Sequence, residues 1–312
     1  MKVKTAVALL LLVFGFAAWG AAAPPRTPII LDTDIGGDID DAFAVALVLS
    51  SPELDLKAVT TVSGDTEARA RIAARLLSIA GRRNVPVAAG SPGKPMDISQ
   101  AEWGKGFTSQ ALRKEAAVDL MADQLKREHG SVVLIAIGPL TNIAELLKEH
   151  PESKPLIKRI VLMGGSLARG YYPDSGPTAE YNIASDAAAS RAVFSSGIPI
   201  SMAPLDVTAR LQLEGPRLQK VFASNTPVTK ALHDLYLLWR QTVPAQWAPT
   251  LHDPMAIALL LDPSLCTARM LSVDIGADGM TRAVDGQAPN ALVGVEIEPA
   301  RFLDFYVKRV AR

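Results

Sequence analysis

Short apolar runs recur along the chain, and each leads through a polar turn into a helical pattern. "TPIILD" precedes "DAFAVALVLS", "LDLKAVTTVSGD" precedes "TEARARIAARLLSIAG", and "SVVLIAIGPLT" precedes "NIAELLKEH". "IKRIVLMGG" comes midway, and "IPISMAPLDVT" follows "SDAAASRAVFSSG". Alternation of this kind leaves few solutions. It predicts an α/β fold: an open, mainly parallel sheet, doubly wound, with helices on both faces. The Gly- and Pro-rich stretch 90–106 reads as a surface loop, and residues 209–250 as a helical, irregular cap over the sheet edge.

Residues 1–23 read as a secretory leader, with Lys2 and Lys4 at its start, an apolar run from Ala6 to Trp19, and Ala21-Ala22-Ala23 before Pro24. The run is shorter than the ~20 apolar residues a bilayer crossing needs, so cleavage is expected rather than a stable membrane anchor. That implies a secreted, periplasmic protein whose residues 24–312 form one domain. The 32 Lys+Arg balance 32 Asp+Glu, so no net field steers the chain toward nucleic acid. Cys266 is the only cysteine, which excludes an intramolecular disulfide, and no two of the four histidines stand at zinc-ligand spacing.

Against that neutral background, "DTDIGGDIDDAFA" (Asp32 to Ala44) places five aspartates within ten positions, directly after an apolar strand. Ligands of open parallel sheets bind beyond the carboxyl ends of the strands. The same end collects Gly64 and Asp65, Ile137 to Asn142, and Gly164-Gly165 from the later runs. Carboxylates so crowded repel one another unless a cation sits among them, and a hard cation such as Ca²⁺ takes six to eight oxygens. Asp40 and Asp41 open a helix, whose N-terminus also favours carboxylates, so plain helix capping is the alternative. An EF-hand fails, because Phe43 stands where its twelfth-position Glu should be. A strand followed by D-x-D also opens haloacid-dehalogenase-type phosphatases, with Asp32 as nucleophile and Asp34 as acid/base. No later Lys or acidic pair is placed for that chemistry.

Four further stretches narrow the choice: "GPLTNIA" (138–144), "VLMGGS" (161–166), "AEYNIASD" (179–186) and "LHDPMAIALLLDP" (251–263). Together with the opening aspartates, and in this order, they resemble the nucleoside hydrolases of the inosine–uridine-preferring type. The resemblance implies a Ca²⁺ enzyme that hydrolyses the N-glycosidic bond of ribonucleosides to free base and ribose. It implies Asp34, Asp41, Asp253 and the main-chain carbonyl of Ile137 as Ca²⁺ ligands, with Asp34 also taking the proton of the metal-bound water. Asp40 and Asn182 should bind ribose hydroxyls, with Glu180 near the 5′-hydroxyl, and His252 should protonate the leaving base. Glu180 and Asn182 are two apart, so on an extended segment both would point the same way. Members are commonly dimers or tetramers, so a homo-oligomer is implied.

Three departures from the family pattern matter. The acidic stretch carries two extra residues and an added Asp38, which leaves open which of Asp38, Asp40 and Asp41 is the second metal ligand. Asp65 stands where an Asn is usual, and Asp174 where the amide before Glu180 would be, so both are candidate ribose contacts. Asp65 can equally cap the helix starting at Thr66. These departures also support a non-catalytic nucleoside- or ribose-binding protein. Trp103, Tyr236, Trp239 and Trp247 are candidate base contacts, although aromatic residues at helical spacing are more often core. Asn142 reads as the start of a helix, and Gly164-Gly165 as a tight turn or close backbone approach.

Overall fold

The computed structural model describes residues 26–172 and 174–312; the leader expected at 1–23 lies outside them. Eleven strands follow one another: β1 (Thr27–Thr33), β2 (Leu54–Thr61), β3 (Val87–Ala89), β4 (Leu112–Arg113), β5 (Val132–Ala136), β6 (Ile157–Met163), β7 (Ile200–Ala203), β8 (Cys266–Leu271), β9 (Val273–Ile275), β10 (Thr281–Ala283) and β11 (Ala291–Ile297). Nine form one sheet in the order β4-β3-β2-β1-β5-β6-β7-β11-β8, and β9 and β10 pair separately. Every neighbouring pair in the large sheet is parallel except β11 and β8. The chain winds outward from β1 to β4, then returns to the other side of β1 and winds on through β5, β6 and β7. The doubly wound α/β fold is therefore as the apolar runs predict, and its winding direction reverses between β1 and β5.

Strands buried on both faces read as continuous apolar runs, and their alternate side chains enter two separate layers. Ile29 and Leu31 of β1 pack into one layer with the helices Asp40–Leu49, Thr66–Ile79, His252–Leu261 and Pro299–Val310. Ile30 faces the other layer, with the helices Ala117–Arg127, Thr141–Glu149 and Ala187–Phe194. The Asp40–Leu49 helix is apolar all round after its first two residues, and nine of its ten residues are buried, as such a helix must be. It packs against the helices His252–Leu261, Pro227–Arg240 and Pro299–Val310.

Two segments differ from expectation. Residues 209–250 form the helices Gly215–Ala223 and Pro227–Arg240, and the second packs on the helices Asp40–Leu49 and Thr66–Ile79 rather than over a sheet edge. The 90–106 stretch is a surface loop only in its first part: residues 91–97 are exposed, whereas Ile98, Gln100 and Trp103 are buried. The Arg75 guanidinium lies 4.3 Å from the Trp103 ring centroid, so that indole is spent on packing and is not available to a base.

Candidate active site

Period-two alternation separates the first two aspartates. Asp32 is the last-but-one residue of β1 and points with Ile30 into the second layer, where it accepts from Thr60 Oγ1 at 2.7 Å and Asn142 Nδ2 at 2.8 Å. Burial pushes its carboxyl up to about 7. It does not line the site cavity, so a nucleophilic Asp32 of the phosphatase type is ruled out by position. Asn142, read as a helix start, is a buried tie instead, since its amide also donates to Thr61 O at 3.0 Å.

Asp34, one residue beyond the strand, lines a cavity of about 790 Å³ at the switch between β1 and β5. Two helices aim their N-termini into it: Asp40–Leu49, which begins with Asp40 and Asp41, and His252–Leu261, which carries Asp253 in its first turn. Neither helix has a side-chain cap, so these carboxylates are not spent on capping. Carboxylate oxygens of Asp40, Asp41 and Asp253 lie within 4.8 Å of one another, and all three residues are buried. Asp40 Oδ2 accepts from the Asp253 N–H at 3.3 Å, and Thr33 Oγ1 donates to Asp41 Oδ1.

Among the described residues no Lys, Arg or His bonds any of the three. Burial first, and then the neighbouring aspartates, push Asp40, Asp41 and Asp253 well above the usual carboxylate range. Burial raises Asp34 to about 6, against the pull of the Arg69 guanidinium. Concentrated negative charge on an all-oxygen donor set fits a hard cation. Asp38 also lines the cavity, but it is exposed, lies outside the triad, and accepts from its neighbour Ile39 N at 2.6 Å.

The opposite wall comes from the second half of the sheet. Ile137, just past β5, lines the cavity, and its carbonyl accepts from Asn182 Nδ2 at 3.2 Å. Glu180 and Asn182 do not sit on an extended segment: Glu180 caps the short helix Tyr181–Ser185, of which Asn182 is the second residue. Both still face the cavity, because the cap folds Glu180 back onto the helix N–H groups. Its carboxylate accepts from Asn182 N at 2.9 Å, Ile183 N at 3.1 Å and Gly165 N at 2.8 Å. Gly165 takes φ +80°, and a Cβ there would run into the side chains of Met202 and Thr281, so the Gly164-Gly165 pair serves a close backbone approach.

His252 Nδ1 lies 2.9 Å from Thr208 Oγ1, and the Tyr171 ring meets the imidazole edge-on at 6.1 Å. Burial pulls the His252 pKa down to about 4, so its ring is neutral over the neutral pH range.

The two doubtful acids are placed plainly. Asp65 is exposed and caps the Thr66–Ile79 helix, accepting from Ala68 N at 2.9 Å. Asp174 is exposed, and neither residue lines the cavity. Both therefore stand apart from the residues that line the site, and Asp65 is placed as the helix cap that the sequence equally allows. Of the aromatic candidates, Trp239 and Trp247 line the cavity, whereas Tyr236 packs against Phe222 with ring centroids 5.2 Å apart.

Sequence reasoning missed two features. Tyr171 and Tyr172, from the loop before Glu180, and Tyr181, the first residue of the short helix after it, line the cavity while remaining exposed. Arg69, fully buried, also contributes to the lining. Its signal was legible, since an arginine stands on the apolar stripe with Ile72, Ala73 and Leu76.

Comparison with known proteins agrees with this layout. Residues 29–304 match the inosine-uridine preferring nucleoside hydrolase family. The pyrimidine-specific ribonucleoside hydrolase RihA of Citrobacter koseri is 38% identical, with 91% of this chain and 98% of that protein covered. A purine-preferring ribonucleoside hydrolase from Gardnerella vaginalis has a similar structure, with TM-score 0.76 and 30% identity over 91% of this chain and 98% of that one. A plant nucleoside hydrolase superposes with TM-score 0.79 at 26% identity, over 92% and 99% of the two chains.

Proposed function

Because the chain belongs to the inosine–uridine preferring nucleoside hydrolase family, we propose that it is a Ca²⁺-dependent N-ribohydrolase that cleaves ribonucleosides to free base and ribose. The observation that carries this reading is the buried triad of Asp40, Asp41 and Asp253, which lines the cavity and has no basic hydrogen-bond partner among the described residues. Those residues, with Asp34 and the Ile137 carbonyl, would hold the ion. A bound Ca²⁺ would offset their repulsion and lower the pKa of a water placed for attack.

The chain's own groups supply the rest. Asp34, which faces the cavity beside the triad, takes a proton from the attacking water onto its carboxylate. Departure of the base leaves positive, oxocarbenium-like charge on the sugar, which the surrounding carboxylates stabilise. The Asn182 amide nitrogen is engaged with the carbonyls of Ile137 and Met163, so its oxygen, with the carboxylates of Asp40 and Glu180, accepts from ribose hydroxyls. On the other side, the neutral His252 ring can offer an N–H to the leaving base without bearing a full charge. Trp239, Trp247 and the three tyrosines give the base flat apolar surface on which to stack.

The relatives named as pyrimidine-specific, 38% identical over most of the chain, support pyrimidine ribonucleosides as the favoured substrates. The leader-like N-terminus supports action outside the cytoplasm. A Ca²⁺-supplemented panel of uridine, cytidine, inosine, adenosine, guanosine and their 2′-deoxy forms, scored by reducing-sugar release, tests the substrate reading. Ribonucleosides should exceed deoxynucleosides, and uridine and cytidine should lead. Silence on the whole panel would refute it.

A further inference from the structure

Arg69 has no exposed surface, although arginine is almost never fully buried unless paired. Its hydrogen bonds do not run to carboxylates. Nη1 donates to the carbonyl of Asp34 and, at 3.0 Å, to that of Ile35. Nε donates to Ser63 O at 2.7 Å, and Nη2 lies 3.2 Å from Met96 Sδ. Ser63 itself stands at φ +71°, a region a non-glycine residue rarely occupies without support. One guanidinium thus ties three loops at the carboxyl end of the sheet.

The segment it grips belongs to no helix or strand, so its carbonyls have no ladder to join. All five from Asp34 to Asp38 nevertheless accept a bond. Arg69 serves the first two, the Gln100 N–H serves Gly36 at 3.1 Å, Ser99 Oγ serves Gly37 at 3.0 Å, and Gln100 Nε2 serves Asp38 at 3.0 Å. The Arg69 end of this clamp bears directly on Asp34.

We propose that Arg69 is a positioning residue for the acidic site: its guanidinium fork fixes the main chain at Asp34 and Ile35 against the Ser63 turn, so that Asp34 faces the cavity beside Asp40 and Asp41. The inference rests on the metal-site reading above. It assigns Arg69 a task that a group merely holding the fold together does not have, because its effect on the ion must pass through Asp34.

Calorimetric titration of the whole chain with Ca²⁺ alone tests it in a double-mutant cycle of Arg69→Met and Asp34→Asn. Losing an outer-shell partner typically weakens a metal by 10–100-fold, so Arg69→Met is expected to raise Kd about tenfold or more. In the Asp34→Asn background the same substitution should add less than about twofold, because coupled residues are non-additive. Equal losses in both backgrounds would show that Arg69 acts on the fold alone and would overturn the proposal. If circular dichroism shows that Arg69→Met does not fold, the cycle is read with Arg69→Lys. Lysine keeps the charge but loses the fork, so it should weaken binding by an amount that again vanishes beside Asp34→Asn. Wild-type affinity in Arg69→Lys overturns the proposal. Failure of the wild-type chain to take up Ca²⁺ overturns the metal reading, and this one with it.

Discussion

Gly138 follows β5 in "IGPLT", and a methyl group there would be driven onto the proposed base. A Cβ added at Gly138 would lie 2.7 Å from Val62 Cγ1, 2.9 Å from Asp34 Oδ1 and 3.0 Å from Asp34 N. Comfortable contacts begin near ~3.5 Å, so Val62 must give by roughly 0.8 Å and Asp34 by roughly 0.6 Å. Overpacking of that kind costs about 1–3 kcal/mol, or a fall in Tm of about 2–6 °C for a chain of this size. The functional loss should be disproportionate, because a misplacement of about 1 Å can cost about 10²-fold in rate. Gly138→Ala is therefore expected to lower kcat/KM on uridine by about tenfold or more and to weaken Ca²⁺ binding, while remaining folded. Gly164→Ala is the comparator. Its Cβ would meet Glu180 Oε2 and Ile183 at 3.3 Å, a contact relieved by small adjustments, so its loss should stay within about threefold. Steady-state kinetics, calorimetry and thermal melts on both variants decide the matter. Wild-type kcat/KM and Ca²⁺ affinity in Gly138→Ala would refute the argument that bare backbone at Gly138 seats Asp34.

Three further predictions concern charge and processing. If His252 assists departure of the base, His252→Ala should slow uridine far more than an activated aryl riboside, whose leaving group needs no donor; equal losses remove it from that role. Asp34 at about 6, and Asp40, Asp41 and Asp253 well above the ordinary 3.8, stabilise the metal-free fold below the unfolded value and lose that contribution as pH rises through the folded ones. Chelated protein should accordingly melt lower at pH 8 than at pH 5, and Ca²⁺ should restore more at pH 8; an equal Ca²⁺ increment at both pH values contradicts this. Exported protein should begin near Pro24, and mass spectrometry finding an intact Met1 on it would contradict the leader.

The sheet's centre was legible because β5 and β7 throughout, and the carboxyl-end halves of β1, β2 and β6, are buried on both faces and so read as short apolar stretches. β3 and β4, of three and two residues, are too short to carry a period. β8 is half exposed at the sheet edge and antiparallel, so its residues mix polar and apolar without the signature of a central strand. At the site, the aspartates announced themselves by crowding, but crowding could not say which one turns away. Only strand periodicity separates Asp32, tied to Thr60 and Asn142, from Asp34 in the cavity. The spacing of Glu180 and Asn182 suggested an extended pair, whereas a glutamate at a helix cap achieves the same convergence by folding back. Asp65 and Asp174 attracted attention by type, and exposure shows how little type decides.

The central claim is that this acidic basin, once loaded, breaks the bond between ribose and base. Its most direct test is ribose release from uridine by the whole chain after chelation and again after Ca²⁺ is restored, with Asp34→Asn run in parallel. Activity should be lost on chelation, return with Ca²⁺, and be absent from the variant under both conditions. Turnover that survives chelation, or persists undiminished in Asp34→Asn, would contradict it.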